Sequence, residues 1–150
     1  MKIGLAADHG GFELKNFLRE ELEKSGYQVQ DFGAYSLDNQ DDYPDFVIPM
    51  AESVSHGELE KGIAVCGSGV GACVAVNKVK GIRGALIQDH FSAHQGVEDD
   101  DINLICLGGR TMGSMVAKEI VFTFLEAHFT GEERHVRRLN KVKLLENKDL

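Results

Sequence analysis

The chain has 150 residues, of which 43% are hydrophobic, and its 24 acidic and 16 basic side chains leave a net charge of −8. A chain of this length predicts one domain, spanning residues 1–150, with a full hydrophobic core. No apolar run approaches the roughly 20 residues of a membrane-spanning helix. The negative charge argues against broad nucleic-acid binding, which requires a cationic surface. We therefore expect a globular protein that binds neither membranes nor nucleic acids.

Short apolar runs alternate along the chain with longer segments of helical periodicity. The pattern predicts strands at 2–7, 28–31, 62–66, 83–87 and 104–107, and helices at 11–25, 44–55, 72–78, 92–98, 113–127 and 133–147. Pro49 lies inside the second helix and predicts a kink or an irregular start there. The alternation predicts right-handed crossovers, and therefore a five-stranded parallel sheet with helices on both faces.

Three cysteines, Cys66, Cys73 and Cys106, lie in apolar segments and form neither a Cys-x-x-Cys pair nor a Cys–His cluster with zinc spacing. This odd number of buried cysteines is typical of reduced thiols. The first residues resemble a buried strand more than a signal peptide. We therefore expect a cytoplasmic protein without a structural zinc site.

The carboxyl ends of parallel strands are where such folds bind their ligands. One of these ends carries the run Cys66-Gly67-Ser68-Gly69-Val70-Gly71. Its glycines allow a tight turn whose backbone N–H groups stabilise an anion, either a phosphate or a negative charge that develops during a reaction. Cys66 stands at the mouth of this turn, where it is either a base or nucleophile or simply a thiol of the core.

The same turn also supports a second interpretation. Gly67–Ala72 matches the G-x-G-x-x-A fingerprint of dinucleotide-binding oxidoreductases, and Asp89 ends the next strand at the distance expected for a ribose-binding acid. Two features count against this alternative. The fingerprint follows the third strand instead of the first, and 150 residues leave little room for a separate substrate domain.

Charged residues at other positions extend the candidate site. Asp8 and His9 follow the first strand, where they can bind hydroxyl groups or move protons, although Asp8 is equally explained as a helix cap. Arg134 and Arg138 are four residues apart on one face of the last helix, and Arg110 follows the fifth strand. Paired guanidinium groups suit a phosphate, whereas most charged helix faces are merely solvated.

The acidic run Glu98–Asp101 is the remaining cluster that can attract a cation. It lacks the EF-hand pattern, and its simplest interpretation is a solvated helix end. His90 and His94 are four residues apart, but no third ligand is spaced to join them. We expect no metal site.

Taken together, these segments resemble the ribose-5-phosphate isomerase B and galactose-6-phosphate isomerase family. The resemblance spans nearly the whole chain, and it rests on the order and spacing of many short motifs. The motifs are Asp8-His9 with Gly11 and Lys15, Asp42-Tyr43-Pro44, Cys66–Gly71, Asn77-Lys78, Gly81-Ile82-Arg83, Ser92-Ala93, Gly108-Gly109-Arg110, and Arg134-His135 with Arg138.

The resemblance implies an activity, a fold and a set of catalytic residues. The family interconverts aldose and ketose phosphates without a metal or an organic cofactor, by moving a proton between C1 and C2 through a cis-enediolate. Its fold is a Rossmann-like three-layer αβα sandwich. Cys66 would be the base, Ser68 would hydrogen-bond the proton carrier or a substrate oxygen, and Asp8 would assist proton transfer between the oxygens. The enediolate oxygen would be held by the turn amides, those of Gly67, Gly69, Val70 and Gly71.

The same resemblance implies how the substrate is held. Tyr43 would line the sugar pocket. The phosphate would be bound by His9, Arg110, Arg134 and Arg138. In the family the pocket lies at a dimer interface, and the C-terminal arginines often come from the partner subunit. We therefore expect a homodimer or a dimer of dimers in which the last helix, about 131–147, packs on the partner.

One departure from the family concerns ring opening. The family carries a His-Asn pair just before the fifth strand, and its histidine is thought to open the furanose ring. Here Asp99 replaces the histidine as a catalytic candidate, and Asp100 replaces the asparagine as a substrate-binding candidate. A carboxyl group can be a general acid, but it is a poor proton donor at neutral pH unless burial or neighbouring acids raise its pKa. Either His90 or His94 opens the ring, or the substrate is a different sugar phosphate or one that needs no ring opening, or the chain is a non-catalytic sugar-phosphate-binding member. We predict an active isomerase of altered substrate.

Overall fold

The computed structural model describes residues 1–148, which form alternating strands and helices. The strands are β1 Lys2–Ala7, β2 Gln28–Asp31, β3 Lys61–Cys66, β4 Gly84–Leu86 and β5 Leu104–Gly108. The helices are α1 Phe12–Lys24, α2 Pro44–Ser55, α3 Val70–Val76, α4 His90–Asp100, α5 Ser114–Glu126 and α6 Glu133–Glu146. Every strand and helix predicted from the sequence is present, and the ends differ by at most two residues.

The strands form one parallel sheet in the order β2-β1-β3-β5-β4. The three central strands are buried on both faces, because helices cover both sides of a parallel sheet, and their sequences are therefore almost continuously apolar. The edge strands β2 and β4 are shorter and more exposed. The predicted parallel sheet is thus confirmed.

Two hydrophobic cores lie on opposite faces of this sheet. Successive side chains of a strand point to opposite faces, so that Leu5 and Ile63 pack with Phe124 on the face covered by α1, α4 and α5. Ala64 packs with Met50 on the face covered by α2 and α3. This arrangement is the Rossmann-like three-layer αβα sandwich that the resemblance implied. None of the described helices has the length and apolar character needed to span a bilayer.

Two helices add detail to their predicted form. Helix α2 is continuous through Pro49, and the expected kink stays a prediction. Pro49 and Asp45 are both exposed, and water can therefore bond the Asp45 carbonyl that loses its helical donor. Helix α4 is longer than predicted because Asp89 caps it, accepting the Ser92 N–H at 2.7 Å.

The sheet has a carboxyl edge, where the strands end, and an amino edge, where they begin. Lys61 is the first residue of β3, and its Nζ donates to the carbonyl groups of Phe124 at 2.7 Å and Ala127 at 3.0 Å. The end of α5 is therefore held at the amino edge.

Helix α6 also lies at the amino edge. Near its start, His135 contacts Asp99 at the end of α4. Near its end, a carboxylate oxygen of Glu146 accepts the N–H of Gly81, which precedes β4, at 3.2 Å. Both ends of α6 are thus held on the side of the sheet opposite to the carboxyl ends of the strands.

Candidate active site

The candidate site lies at the carboxyl edge between β1 and β3. The chain leaves β1 toward α1 on one face of the sheet and leaves β3 toward α3 on the other face. Two neighbouring strands whose connections diverge in this way leave a crevice between them, which is the usual ligand site of an open α/β sheet. Asp8 and His9 follow β1, and Cys66 ends β3.

Glycines let three loops approach one another closely at this crevice. A Cβ atom on Gly10 would lie 2.7 Å from the backbone nitrogen of Gly67, and one on Gly109 would collide with the Gly10 carbonyl. The Gly109 N–H also donates to the Cys66 carbonyl at 2.8 Å. The loops after β1, β3 and β5 therefore form one continuous surface.

The glycine turn positions the thiol of Cys66. Gly69 has a φ of +81°, a conformation that favours glycine. Its N–H points back to Cys66 Sγ at 3.2 Å, and Ser68 Oγ accepts the Val70 N–H at 3.4 Å. Cys66 itself is only 5% exposed. The turn therefore holds a nearly buried sulfur against a backbone N–H donor.

The two other cysteines form a pair outside this turn. A hydrogen bond with Cys106 lowers the pKa of Cys73 to about 6, with further help from the Leu86 backbone and the Asn77 side chain. The same bond, together with burial, raises the pKa of Cys106. Cys73 on α3 is therefore the more acidic thiol of this pair.

Asp8 is buried, and its Oδ1 accepts the Gly10 N–H at 2.9 Å. The N-cap residue of α1 is Gly11, and no side-chain hydrogen bond caps the helix. Asp8 therefore supports the loop after β1 instead of capping the helix, and the capping interpretation is wrong.

His9 is held by a residue from another loop. Its Nδ1 lies 2.6 Å from Oδ1 of Asp41, and the same oxygen accepts the His9 backbone N–H at 3.0 Å. Ligand atoms of Asp8, His9 and Asp41 lie within 4.8 Å of one another, a spacing that can hold a cation. The imidazole Nδ1 already faces a carboxylate at hydrogen-bond distance, so only Nε2 is left for another partner.

Tyr43 and Arg110 contact the glycine turn at different points. A Cβ atom on Gly71 would lie 2.8 Å from Cζ of Tyr43, and one on Gly67 would lie 3.5 Å from Nη1 of Arg110. The Arg110 N–H also donates to the Gly67 carbonyl at 3.0 Å. The carboxyl edge thus brings together most of the site residues named from the sequence: Asp8, His9, Tyr43, Cys66, Gly67, Ser68, Gly69, Val70, Gly71 and Arg110.

The remaining site residues, Asp99, Asp100, Arg134 and Arg138, lie at the amino edge of the same chain. Asp99 Oδ1 is 3.3 Å from Nε2 of His135, a buried side chain of α6, and its Oδ2 accepts from Gln95 at 2.7 Å. Arg134 pairs with Glu132 at 2.5 Å. One chain therefore does not bring these residues to Cys66.

Other candidate residues are already bonded elsewhere. His90 lies 2.9 Å from Glu119, and His94 lies 3.0 Å from Glu98, so both histidines face carboxylates on the helices. Asp89, the ribose-binding acid of the dinucleotide alternative, is the α4 cap described above, and its backbone and side-chain hydrogen bonds with Ser92 lower its pKa.

Two contacts of the site were missed from the sequence. Asp41 lies in a polar loop that carried no functional signal, and only the folded chain brings it to His9. His135 belongs to the Arg134-His135 motif of the sequence, but its burial against Asp99 was not expected, since an Arg-rich helix predicts a solvated face.

Known proteins share this fold and this length. The profile of the ribose/galactose isomerase family matches residues 3–142. Ribose-5-phosphate isomerase B of Clostridium thermocellum superposes with a TM-score of 0.93 at 43% identity, covering 97% of each chain. Ribose-5-phosphate isomerase B of Mycoplasma genitalium, solved with bound ribulose-5-phosphate, superposes with a TM-score of 0.94 at 38% identity, covering 99% of this chain and 97% of the other.

A relative with a different substrate is also similar. The D-erythrulose-4-phosphate isomerase of Pectobacterium atrosepticum is 34% identical over 131 residues, which cover 87% of this chain and 86% of that protein. The profile match, the superposed structures and the glycine turn after β3 agree with the resemblance found in the sequence. The chain therefore belongs to the ribose/galactose isomerase family.

Proposed function

We propose that Cys66 is the base with which this aldose–ketose isomerase moves a proton between C1 and C2 of a sugar phosphate. The observation that carries the proposal is the position of the thiol, whose Sγ accepts the Gly69 N–H at 3.2 Å in the turn after β3. The thiolate takes the proton from C2 of the aldose, and the C–H electron pair becomes the double bond of the enediolate. Return of the proton to C1 gives the ketose.

The turn amides are suited to the charge that develops on oxygen. As the enediolate forms, the carbonyl oxygen becomes negative, and preorganised N–H donors stabilise it without reorganising. Ser68 and Asp8 flank this position, on the loops after β3 and β1. In the proposed mechanism they help move the hydroxyl proton between O1 and O2, while Tyr43 lines the sugar pocket beside Gly71.

The phosphate end of the substrate requires cations. We assign it to His9 and Arg110 at the carboxyl edge and to Arg134 and Arg138 of α6. A guanidinium group can donate two parallel hydrogen bonds to a phosphate, so it recognises the geometry of the phosphate as well as its charge. Because α6 lies at the amino edge of its own chain, its arginines reach Cys66 only from a second copy.

A homodimer supplies that second copy. The outer face of α6 carries a groove of about 440 Å³ lined by Val136, Arg137 and Leu144, among others. At the carboxyl edge, Phe91 and Met115 are 67% and 60% exposed at the starts of their helices. In a two-fold dimer the carboxyl edge of each subunit can face the amino edge of the other, and this contact then occurs twice. The exposed apolar side chains on both edges support this arrangement.

The substrate class follows from the residue that replaces the family's ring-opening histidine. Asp99 would stand near the sugar ring of the partner's site, and in its own chain its Oδ1 lies 3.3 Å from Nε2 of His135. A tetrose phosphorylated at O4 cannot close a furanose ring, because the oxygen that would close it carries the phosphate. A relative is named for such a substrate, D-erythrulose 4-phosphate. We therefore propose a substrate that reacts from its open chain, with ribose 5-phosphate and other pentose or hexose phosphates as the alternatives.

A panel of tetrose, pentose and hexose phosphates in heavy water tests this function. We expect deuterium to enter C1 or C2 of at least one compound, and the open-chain tetrose 4-phosphate to react faster than ribose 5-phosphate. Tight binding without any exchange would instead support a non-catalytic family member and contradict the proposal. Asp99→His should raise kcat/KM for ribose 5-phosphate by roughly 10²-fold, the lower end of the range of general acid catalysis, and leave the tetrose phosphate unchanged. Asp99→Asn, which donates no acidic proton, is the matched control.

A further inference from the structure

Asp41 makes an unusually close contact with a residue of the proposed phosphate site. One oxygen, Oδ1, lies 2.6 Å from Nδ1 of His9 and 3.0 Å from the His9 backbone nitrogen. The two residues are 32 positions apart in the chain, so the contact is tertiary and not a local turn. It joins the loop before α2 to the loop after β1.

The burial of Asp41 shows that a structural role alone does not explain its charge. The side chain is only 9% exposed, and its second oxygen, Oδ2, is buried without a hydrogen-bond partner among residues 1–148. A buried carboxylate oxygen without a donor is costly. A neutral asparagine would serve equally well as an acceptor for the His9 backbone N–H. The hydrogen bond from the His9 backbone therefore does not explain why residue 41 is an aspartate.

We propose that Asp41 is a positioning residue that fixes the imidazole of His9 for phosphate binding. A carboxylate that accepts the Nδ1 proton sets the tautomer and the orientation of the ring. The ring of His9 remains 25% exposed, and with Nδ1 committed it offers Nε2 to a phosphate oxygen. The carboxylate of Asp8, within 4.8 Å, is a second acidic group beside the ring. This inference rests on the proposed assignment of His9 to the phosphate.

A double-mutant cycle between Asp41 and His9 tests the coupling. We expect Asp41→Ala to raise KM for the preferred sugar phosphate about tenfold, the lower end of the cost of losing a carboxylate behind a ligating histidine. kcat should change little, because Cys66 lies in another loop. Asp41→Asn keeps the acceptor oxygen and should have a smaller effect. In a His9→Gln background neither substitution should raise KM further, because a positioning residue acts only through the group it positions.

Nitrogen-15 NMR of the His9 ring gives a readout that does not depend on turnover. In the wild type we expect a proton on Nδ1 with the shift of a strong hydrogen bond, and inorganic phosphate should perturb Nε2. In Asp41→Ala the Nδ1 signature should be lost, and the phosphate Kd should rise about tenfold, in parallel with KM. Thermal unfolding of each variant establishes that it is folded.

A matched control comes from the same loop. Asp38 is exposed, and its Oδ1 accepts the Gln40 N–H at 2.9 Å. Asp38→Asn changes the charge of the loop by the same amount as Asp41→Asn, and it should leave KM and the His9 signals unchanged.

The outcomes separate this inference from the proposed function. If the wild type isomerises sugar phosphates but the Asp41 and His9 effects on KM add, Asp41 is not a positioning residue for His9. Unchanged ring signals and an unchanged phosphate Kd in Asp41→Ala overturn the inference as well. If the wild type isomerises nothing while the NMR results hold, the proposed function fails and the Asp41–His9 coupling stands.

Discussion

The two edges of the sheet carry different halves of the proposed chemistry. At the carboxyl edge the important groups are backbone amides and short side chains, and glycines bring them together. At the amino edge they are long, exposed cationic side chains on one helix, α6. Backbone amides at the carboxyl edge are suited to stabilising a transition state, and the arginines at the amino edge are suited to binding a phosphate. In the proposed function each edge lacks a group that the other supplies, and a second copy of the chain completes the site.

The ammonium groups of two lysines, one near each edge, have different partners. Lys15, near the carboxyl edge, is fully buried, and its Nζ donates to both oxygens of Asp31 at 2.8 and 3.0 Å and to the Ala34 carbonyl at 2.6 Å. Lys61, at the amino edge, donates its hydrogen bonds to two carbonyl groups, and its Nζ lies 4.6 Å from the centroid of the Phe124 ring. A full counter-charge stabilises the first ammonium group, whereas burial disfavours the second.

The largest expected effect is at the carboxyl edge. Cys66→Ala removes the proposed base and should lower kcat by roughly 10²–10⁴-fold, the usual contribution of a positioned base, while substrate binding changes little. Isomerisation rates and a binding titration measure the two quantities separately. Cys73→Ala, which removes the neighbouring thiol outside the turn, should retain activity. An unchanged kcat in Cys66→Ala would remove this residue from the mechanism.

Hybrid dimers test whether the two edges meet across an interface. Cys66→Ala and Arg138→Ala homodimers should both be nearly inactive at low substrate concentration. Random mixing of the two chains should restore about a quarter of wild-type activity, because half of the dimers then contain one intact site of two. Co-expression with two different tags and an activity assay provide the measurement. No recovery would mean that both residues act within one chain, or not together at all.

Removing the buried lysine should cost stability and not chemistry. Among residues 1–148, Lys15→Met leaves the Asp31 carboxylate with Arg19 and the Gly33 N–H as its partners. We expect the free energy of unfolding to fall by about 3 kcal/mol, the lower end for breaking a buried ion pair. Urea denaturation at fixed protein concentration measures it. The exposed Lys24 offers the control, since Lys24→Met should cost under about 0.5 kcal/mol; equal losses in both variants would contradict the distinction.

A change of stability with pH is expected at the amino edge. Burial lowers the pKa of Lys61 to about 8 from 10.5, although Asp101 and Glu60 favour the charged form. Between these two values the unfolded chain binds a proton that the folded chain does not, so Lys61 makes stability rise with pH from about 8 to 10.5. Lys61→Met should lack this rise, whereas the exposed Lys80→Met should keep it. Denaturation curves across that range decide the matter, and identical slopes in all three proteins would refute it.

The sequence predicted the elements well because their signals are local. Hydrophobic periodicity and glycine positions give the bounds of α1 and β1 within one residue. The effect of Pro49 is not a local signal, because its cost depends on whether water reaches the Asp45 carbonyl, which is a property of the folded surface. The cap at Asp89 was misread as a ligand-binding acid because both roles place an acidic residue at the end of a strand.

The sequence by itself determined the alternation of strands and helices, the glycine turn at Cys66 and the family, since each depends on residue type and spacing along the chain. The tertiary structure alone decided which site residues meet. It brought Asp41 to His9 across 32 positions, and it separated Arg134 and Arg138 from the Cys66 of their own chain. The reason is that a crossover helix returns the chain to the opposite edge of the sheet, so proximity in sequence does not fix proximity in space.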